Sequence, residues 1–109
     1  MTIIEFYDKS SIENIAGALL TNADRVIFVG DNHKVMERSI KYYNNILSNR
    51  CKNTVLEHIT INRNNLFSIV DKLSSIIEKY DDCVFDVTGG EDLCLVAVGI
   101  LTERYKGKI

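Results

Sequence analysis

Along the chain, short continuous apolar runs alternate with longer segments whose apolar residues recur at helical spacing. Thr2 to Tyr7 reads as a strand buried on both faces. Arg25 to Val29 reads as a second, with Val26-Ile27-Phe28-Val29 apolar throughout. Uninterrupted runs of this kind belong to parallel strands covered by helices on both sides. Thr54 to Ile61 is a third strand, with Val55, Glu57, Ile59 and Ile61 on one side and Leu56, His58 and Thr60 on the other. Its polar content predicts an edge position. Cys83 to Val87 is the fourth.

Between these runs lie apolar stripes of helical period. The first is Ile12, Ile15, Ala16 and Leu19, opened by Ser10 and Glu13 at capping-box spacing. The second, over about 34–49, is Met36, Ile40, Tyr43 and Leu47. The third is Leu66, Ile69, Val70, Leu73, Ile77 and Tyr80, and a last helix covers about 91–105. Four βα units in a row predict an α/β fold, a Rossmann-like three-layer sandwich with right-handed crossovers. The expected parallel sheet has the order 3-2-1-4, possibly extended, with helices on both faces; a flavodoxin-like 2-1-3-4 is the alternative. In the first order the winding reverses between strands 1 and 4, which opens a crevice at their carboxyl ends. Those ends are Tyr7-Asp8-Lys9-Ser10 and Thr88-Gly89-Gly90.

The stretch Asp86-Val87-Thr88-Gly89-Gly90-Glu91-Asp92 therefore draws attention. Paired glycines permit positive φ and a close approach of bare N–H groups to a ligand at a helix start. The competing reading is a capping box, with Thr88 as N-cap and Glu91 reaching back. The spacing is neither G-x-G-x-x-G nor that of a P-loop. Asp86, inside the strand, needs a partner and is expected to accept from turn N–H groups near Gly89. Asp8, Lys9, Ser10 and Ser11 form the opposing lip, either as ligand contacts or as caps of the first helix. Asp31, Asn32, His33 and Lys34 end strand 2 as a pocket wall; Arg63, between Asn62 and Asn64, ends strand 3 on the same rim but farther out. Neither His33 nor His58 has a carboxylate or cysteine at catalytic spacing, so no catalytic residue and no metal ligand is assigned. Cys94 reads as a packed core thiol.

Leu93 to Leu101 has no polar face. A helix apolar all round is buried all round. One side covers the sheet; the other calls for a second chain, hence a homodimer through helix 91–105, or for further residues of a longer protein.

At 109 residues, 46% apolar and 26% charged, the chain suits one domain with a core. A net charge of −2 gives no basic footprint for duplex nucleic acid. No apolar run reaches a membrane span, and the N-terminus lacks the pattern of a signal peptide. Three cysteines without C-x-x-C spacing suit a reducing, cytoplasmic setting.

Strand, D-x-T-G-G, helix as the fourth βα unit resembles the second signature of CRISPR-associated Rossmann-fold (CARF) domains, matched here by Asp86-Val87-Thr88-Gly89-Gly90. The other CARF signature lies after strand 1, at Asp8-Lys9-Ser10-Ser11. The resemblance implies that residues 1–109 are a CARF-like Rossmannoid domain, the N-terminal part of a longer protein. It further implies a homodimeric sensor in antiviral defence that binds a cyclic oligoadenylate and controls an attached effector. No cofactor is implied. The ligand-contacting set would then be Asp8, Lys9, Ser10, Ser11, Asp31, Arg63, Thr88, Gly89, Gly90 and Glu91. CARF domains continue the motif with a hydroxyl residue and a base, where this chain has Glu91-Asp92. Two carboxylates at a helix start favour the macrodipole and repel phosphate, so Lys9, Lys34 or Arg63 would have to compensate. Two other classes stay open: a small Mg²⁺-dependent nucleotide-using enzyme with Asp8, Glu91 and Asp92 as its acidic rim, and a dimerisation module with a vestigial pocket.

Overall fold

The computed structural model describes residues 1–7, 11–107 and 109, with the side chains of residues 11–13 left out. Strands β1 (Thr2–Phe6), β2 (Arg25–Gly30), β3 (Val55–Thr60) and β4 (Cys83–Asp86) alternate with helices α1 (Ser11–Leu20), α2 (His33–Asn49), α3 (Leu66–Lys79) and α4 (Asp92–Arg104). The sheet is parallel with the order β3-β2-β1-β4, the expected Rossmann-like arrangement, and the flavodoxin-like order is ruled out. The polar third strand is an edge, as its sequence predicts.

Strand alternation divides the core in two. Ile4, Phe6, Ile27 and Val29 face α3 and α4, meeting Ile69, Leu73, Ile77, Ala97 and Leu101. Ile3, Val26 and Phe28 face α1 and α2, meeting Ile15, Ala18, Met36, Tyr43 and Leu47. Side chains that alternate across a pleat force this division, and helices on both sides explain why β1 and β2 are apolar at consecutive positions. Within the second layer Asn14 is buried, and its Nδ2 donates to the Tyr43 hydroxyl at 3.1 Å.

Asparagines set where two helices begin. Asn32 Oδ1 accepts the Val35 N–H, and Asn65 Oδ1 accepts the Ser68 N–H, each at 3.1 Å. Such caps satisfy donors that the first turn leaves unpaired. α2 ends in a Schellman arrangement: Lys52 N–H reaches Leu47 O at 2.9 Å and Cys51 N–H reaches Ser48 O at 3.1 Å, with Cys51 at φ 55°. The chain leaves α4 through Gly107 at φ 90°. The capping pair Ser10 and Glu13 lies outside the described residues and side chains.

Candidate functional site

The ladder continues past the strands: Tyr7 N–H donates to Val29 O at 2.8 Å and Ile61 N–H to Gly30 O at 2.9 Å. These bonds fix the carboxyl ends of β1, β2 and β3 as a rigid rim. Above the rim is a cavity of about 670 Å³. Phe6, Val29, Ile61 and Val35 give it apolar surface; Tyr7, Gly30, Asp31, Asn32, Arg63, Gly89, Glu91 and Cys94 complete the lining. The crevice expected between strands 1 and 4 thus extends over β1, β2 and β3, with the start of α4 as its far wall.

The turn after β4 is built from within. Gly90 N–H donates to Val87 O at 3.0 Å, closing a β-turn over Val87–Gly90. Thr88 N–H donates to Asp86 Oδ1 at 3.0 Å, the carboxylate-to-turn bond expected of Asp86. Two amides of the turn are therefore committed to the turn itself and do not point at a ligand. Neither Gly89 nor Gly90 takes positive φ; among the described residues only Cys51 and Gly107 do. Gly90 is required for closeness instead. A Cβ there would stand 3.1 Å from Phe6 Cδ2, 3.2 Å from Leu95 Cδ2 and 3.3 Å from Val87 O.

The capping box does not form. The N-cap of α4 is Glu91, and its side chain makes no capping bond. Its carboxylate goes to Arg63, whose Nε donates to Oε2 at 3.1 Å and whose Nη2 contacts Oε1. Arg63 also donates from Nη1 to Asp31 Oδ2 at 3.1 Å. One guanidinium thus joins the end of β2, the loop after β3 and the start of α4. A charge-assisted fork of this kind outcompetes a bond to a neutral amide.

Of the residues singled out from sequence, Asp31, Arg63, Gly89 and Glu91 come together at the cavity. Thr88 and Gly90 shape the turn but do not line it. Asp8, Lys9 and Ser10, and the side chain of Ser11, lie outside what is described. The lining residues Tyr7, Asn32, Val35 and Ile61 had one signal in the sequence, their place at or just after a strand end. Cys94 is buried, as expected of a core thiol, and also lines the cavity; burial pushes its thiol pKa up, and the nearby Arg63 charge opposes that shift. His33 does have a carboxylate neighbour, Glu37 one turn on at 3.3 Å, and its ring lies 5.1 Å from that of His58. Among the described residues no group of three or more His, Cys, Asp and Glu comes together to hold a metal ion, and no helix is long and apolar enough to cross a membrane.

Parallel order, helix layers and a cavity over the strand ends together define a Rossmann-like α/β domain. The structure of Can2 from Sulfobacillus thermosulfidooxidans in complex with cyclic tetra-adenylate is similar, with a TM-score of 0.76 over 94% of this chain at 16% identity. This chain spans 29% of that protein's length. The likeness is one of fold. No protein-family model matches the chain, and no curated protein matches it.

Proposed function

We propose that the chain is a CARF-like ligand-sensing domain of CRISPR-associated antiviral defence that binds a nucleotide, with a cyclic oligoadenylate as the ligand of choice, in the cavity over the carboxyl ends of β1–β3. One observation carries the reading: a cavity of about 670 Å³ lies where open α/β sheets take ligands, on a fold shared with a protein bound to cyclic tetra-adenylate. The cavity's mix of apolar surface and a few convergent polar groups suits a base and its sugar-phosphate. The contact set comprises Asp31, Arg63, Gly89 and Glu91, with Asp8, Lys9, Ser10 and Ser11 of the segment that follows β1 in sequence; Thr88 and Gly90 hold the turn.

The domain works as a cytoplasmic homodimer and passes its ligand state to an attached effector, without engaging duplex nucleic acid or a membrane. Support for the dimer comes from α4. Leu95, Val96 and Ile100 are 43%, 49% and 36% exposed. At Gly99 a Cβ would meet nothing within 4 Å, so this face also has room for close approach by another helix. The competing enzyme reading needs Glu91 as a metal ligand, a role for which Arg63 competes.

Calorimetry with cyclic tetra- and hexa-adenylate tests the reading. Saturable binding of at least one, lost when Val35→Trp fills the cavity, is the expected result. No heat with either ligand would remove the oligoadenylate assignment.

A further inference from the structure

Arg63 is the cavity's only lining cation among the described residues, and both carboxylates of the lining, Asp31 and Glu91, are bound to it. Three of its N–H-bearing nitrogens are occupied: Nε and Nη2 by Glu91, Nη1 by Asp31. Of the five N–H donors of a guanidinium three are committed, including the whole Nε/Nη2 fork, so an incoming phosphate takes that fork only by displacing a carboxylate. The arginine also comes from a loop remote in sequence from both acids, 32 residues from Asp31 and 28 from Glu91. All three side chains are half-exposed, between 42% and 58%, so no buried charge demands the pairing. Exposed ion pairs contribute little to stability and exchange partners readily. The arrangement therefore has the character of a replaceable counter-ion set.

We propose that Arg63 is the phosphate-contacting residue of the cavity and that Asp31 and Glu91 are resident counter-anions that ligand phosphate must displace. This rests on the nucleotide-binding reading of the same cavity. Binding becomes an anion exchange on one arginine. The exchange makes the site insensitive to small free anions, because an isolated phosphate gains only the fork that it displaces. A nucleotide adds contacts in the apolar part of the cavity and wins. The start of α4 and the loop after β3, tied together by Arg63 and Glu91, come apart when it does, which gives α4 a ligand-dependent tether.

The test uses two probes, inorganic pyrophosphate and cyclic tetra-adenylate, against wild type, Glu91→Gln, Asp31→Asn, Asp92→Asn, Arg63→Gln and the double variant Arg63→Gln/Glu91→Gln. Thermal melting first confirms that each variant folds, as their exposure leads one to expect. Glu91→Gln should bind pyrophosphate about two- to fivefold tighter than wild type, the scale of one exposed ion pair lost as a competitor. Asp31→Asn should gain less, and adding Arg63→Gln should erase the gain. Asp92→Asn removes the same charge at the same helix start without touching Arg63, and should change little. An equal gain in Asp92→Asn, or one that survives Arg63→Gln, would overturn the proposal in favour of general electrostatics or helix amides. So would the absence of any gain in Glu91→Gln. If pyrophosphate behaves as expected but no variant binds cyclic tetra-adenylate, the counter-ion set stands and the nucleotide reading falls. If wild type binds cyclic tetra-adenylate and Glu91→Gln binds it no better, the nucleotide reading stands and the exchange is refuted.

Discussion

Asp86 and Thr88 are joined by a hydrogen bond that determines how the fourth strand becomes the fourth helix: Asp86 Oδ1 accepts the Thr88 N–H at 3.0 Å. The bond stops the extended chain two residues past the carboxylate and folds it into the turn that carries Gly89 to the cavity and Gly90 onto Phe6. Replacing Asp86 by Ala should lower stability by about 1 kcal/mol, the usual effect of losing a local side-chain acceptor for a backbone donor. Asp86→Asn keeps the acceptor and should cost much less. Chemical denaturation of the two variants checks this; equal losses would mean that the charge, not the bond, matters.

Cys51 takes φ 55° at the position after α2 where glycine is usual. A side chain in the left-handed region is strained by roughly 1–2 kcal/mol, part of which glycine returns as backbone entropy. Cys51→Gly should therefore raise stability by about 0.5–1 kcal/mol. A denaturation midpoint that stays put or falls would show that the cysteine side chain contributes contacts of its own. Cys51 is exposed, so none are expected.

Tyr43 is 2% exposed, and burial pushes its phenol pKa above 10.0, partly offset by the hydrogen bond from Asn14. The sign follows from linkage: the folded state holds this proton more tightly than the unfolded state does. The stabilisation is complete below the unfolded pKa of 10.0 and is lost as pH rises through the higher folded value. Alkaline titration followed by tyrosinate absorbance should show one tyrosine lagging the others until the protein unfolds. Tyr43→Phe should abolish that lag; a lag that persists would assign it to another ring.

The exposed apolar face of α4 should associate. Val96 is 49% exposed and Ile100 36%. Sedimentation should find the wild-type chain dimeric and Ile100→Glu or Val96→Glu monomeric, because an unpaired charge buried at an apolar interface is costly. A wild-type monomer, or a dimer indifferent to both substitutions, would place the interface elsewhere.

Much of this architecture can be read from the chain because its signals are local. Uninterrupted apolar runs at Ile3–Ile4 and Val26–Val29 require cover on both faces, and alternation with helical stripes then leaves few topologies. The polar β3 reads as an edge for the same reason. Asp86 in the turn was legible because its partner is two residues away. What sequence could not supply is reach. Thr88 and Glu91 have the spacing of a capping box, yet Glu91 turns to a guanidinium 28 residues back, and nothing local in the pattern records that alternative partner. The cavity lies farther toward β2 and β3 than the switch point alone suggests, because Arg63 and Ile61 bring the loop after β3 over the rim. Paired glycines suggested positive φ, whereas Gly90 answers to the nearness of Phe6, a contact made by folding.

Amide chemical-shift mapping with cyclic tetra-adenylate tests the site itself most directly. The account predicts saturable shifts concentrated at Gly30, Asp31, Arg63, Gly89 and Cys94, residues from four separate segments that meet only at the cavity. An unchanged spectrum at saturating ligand, or shifts confined to the remote end of α2 around Asn45 to Asn49, would contradict it.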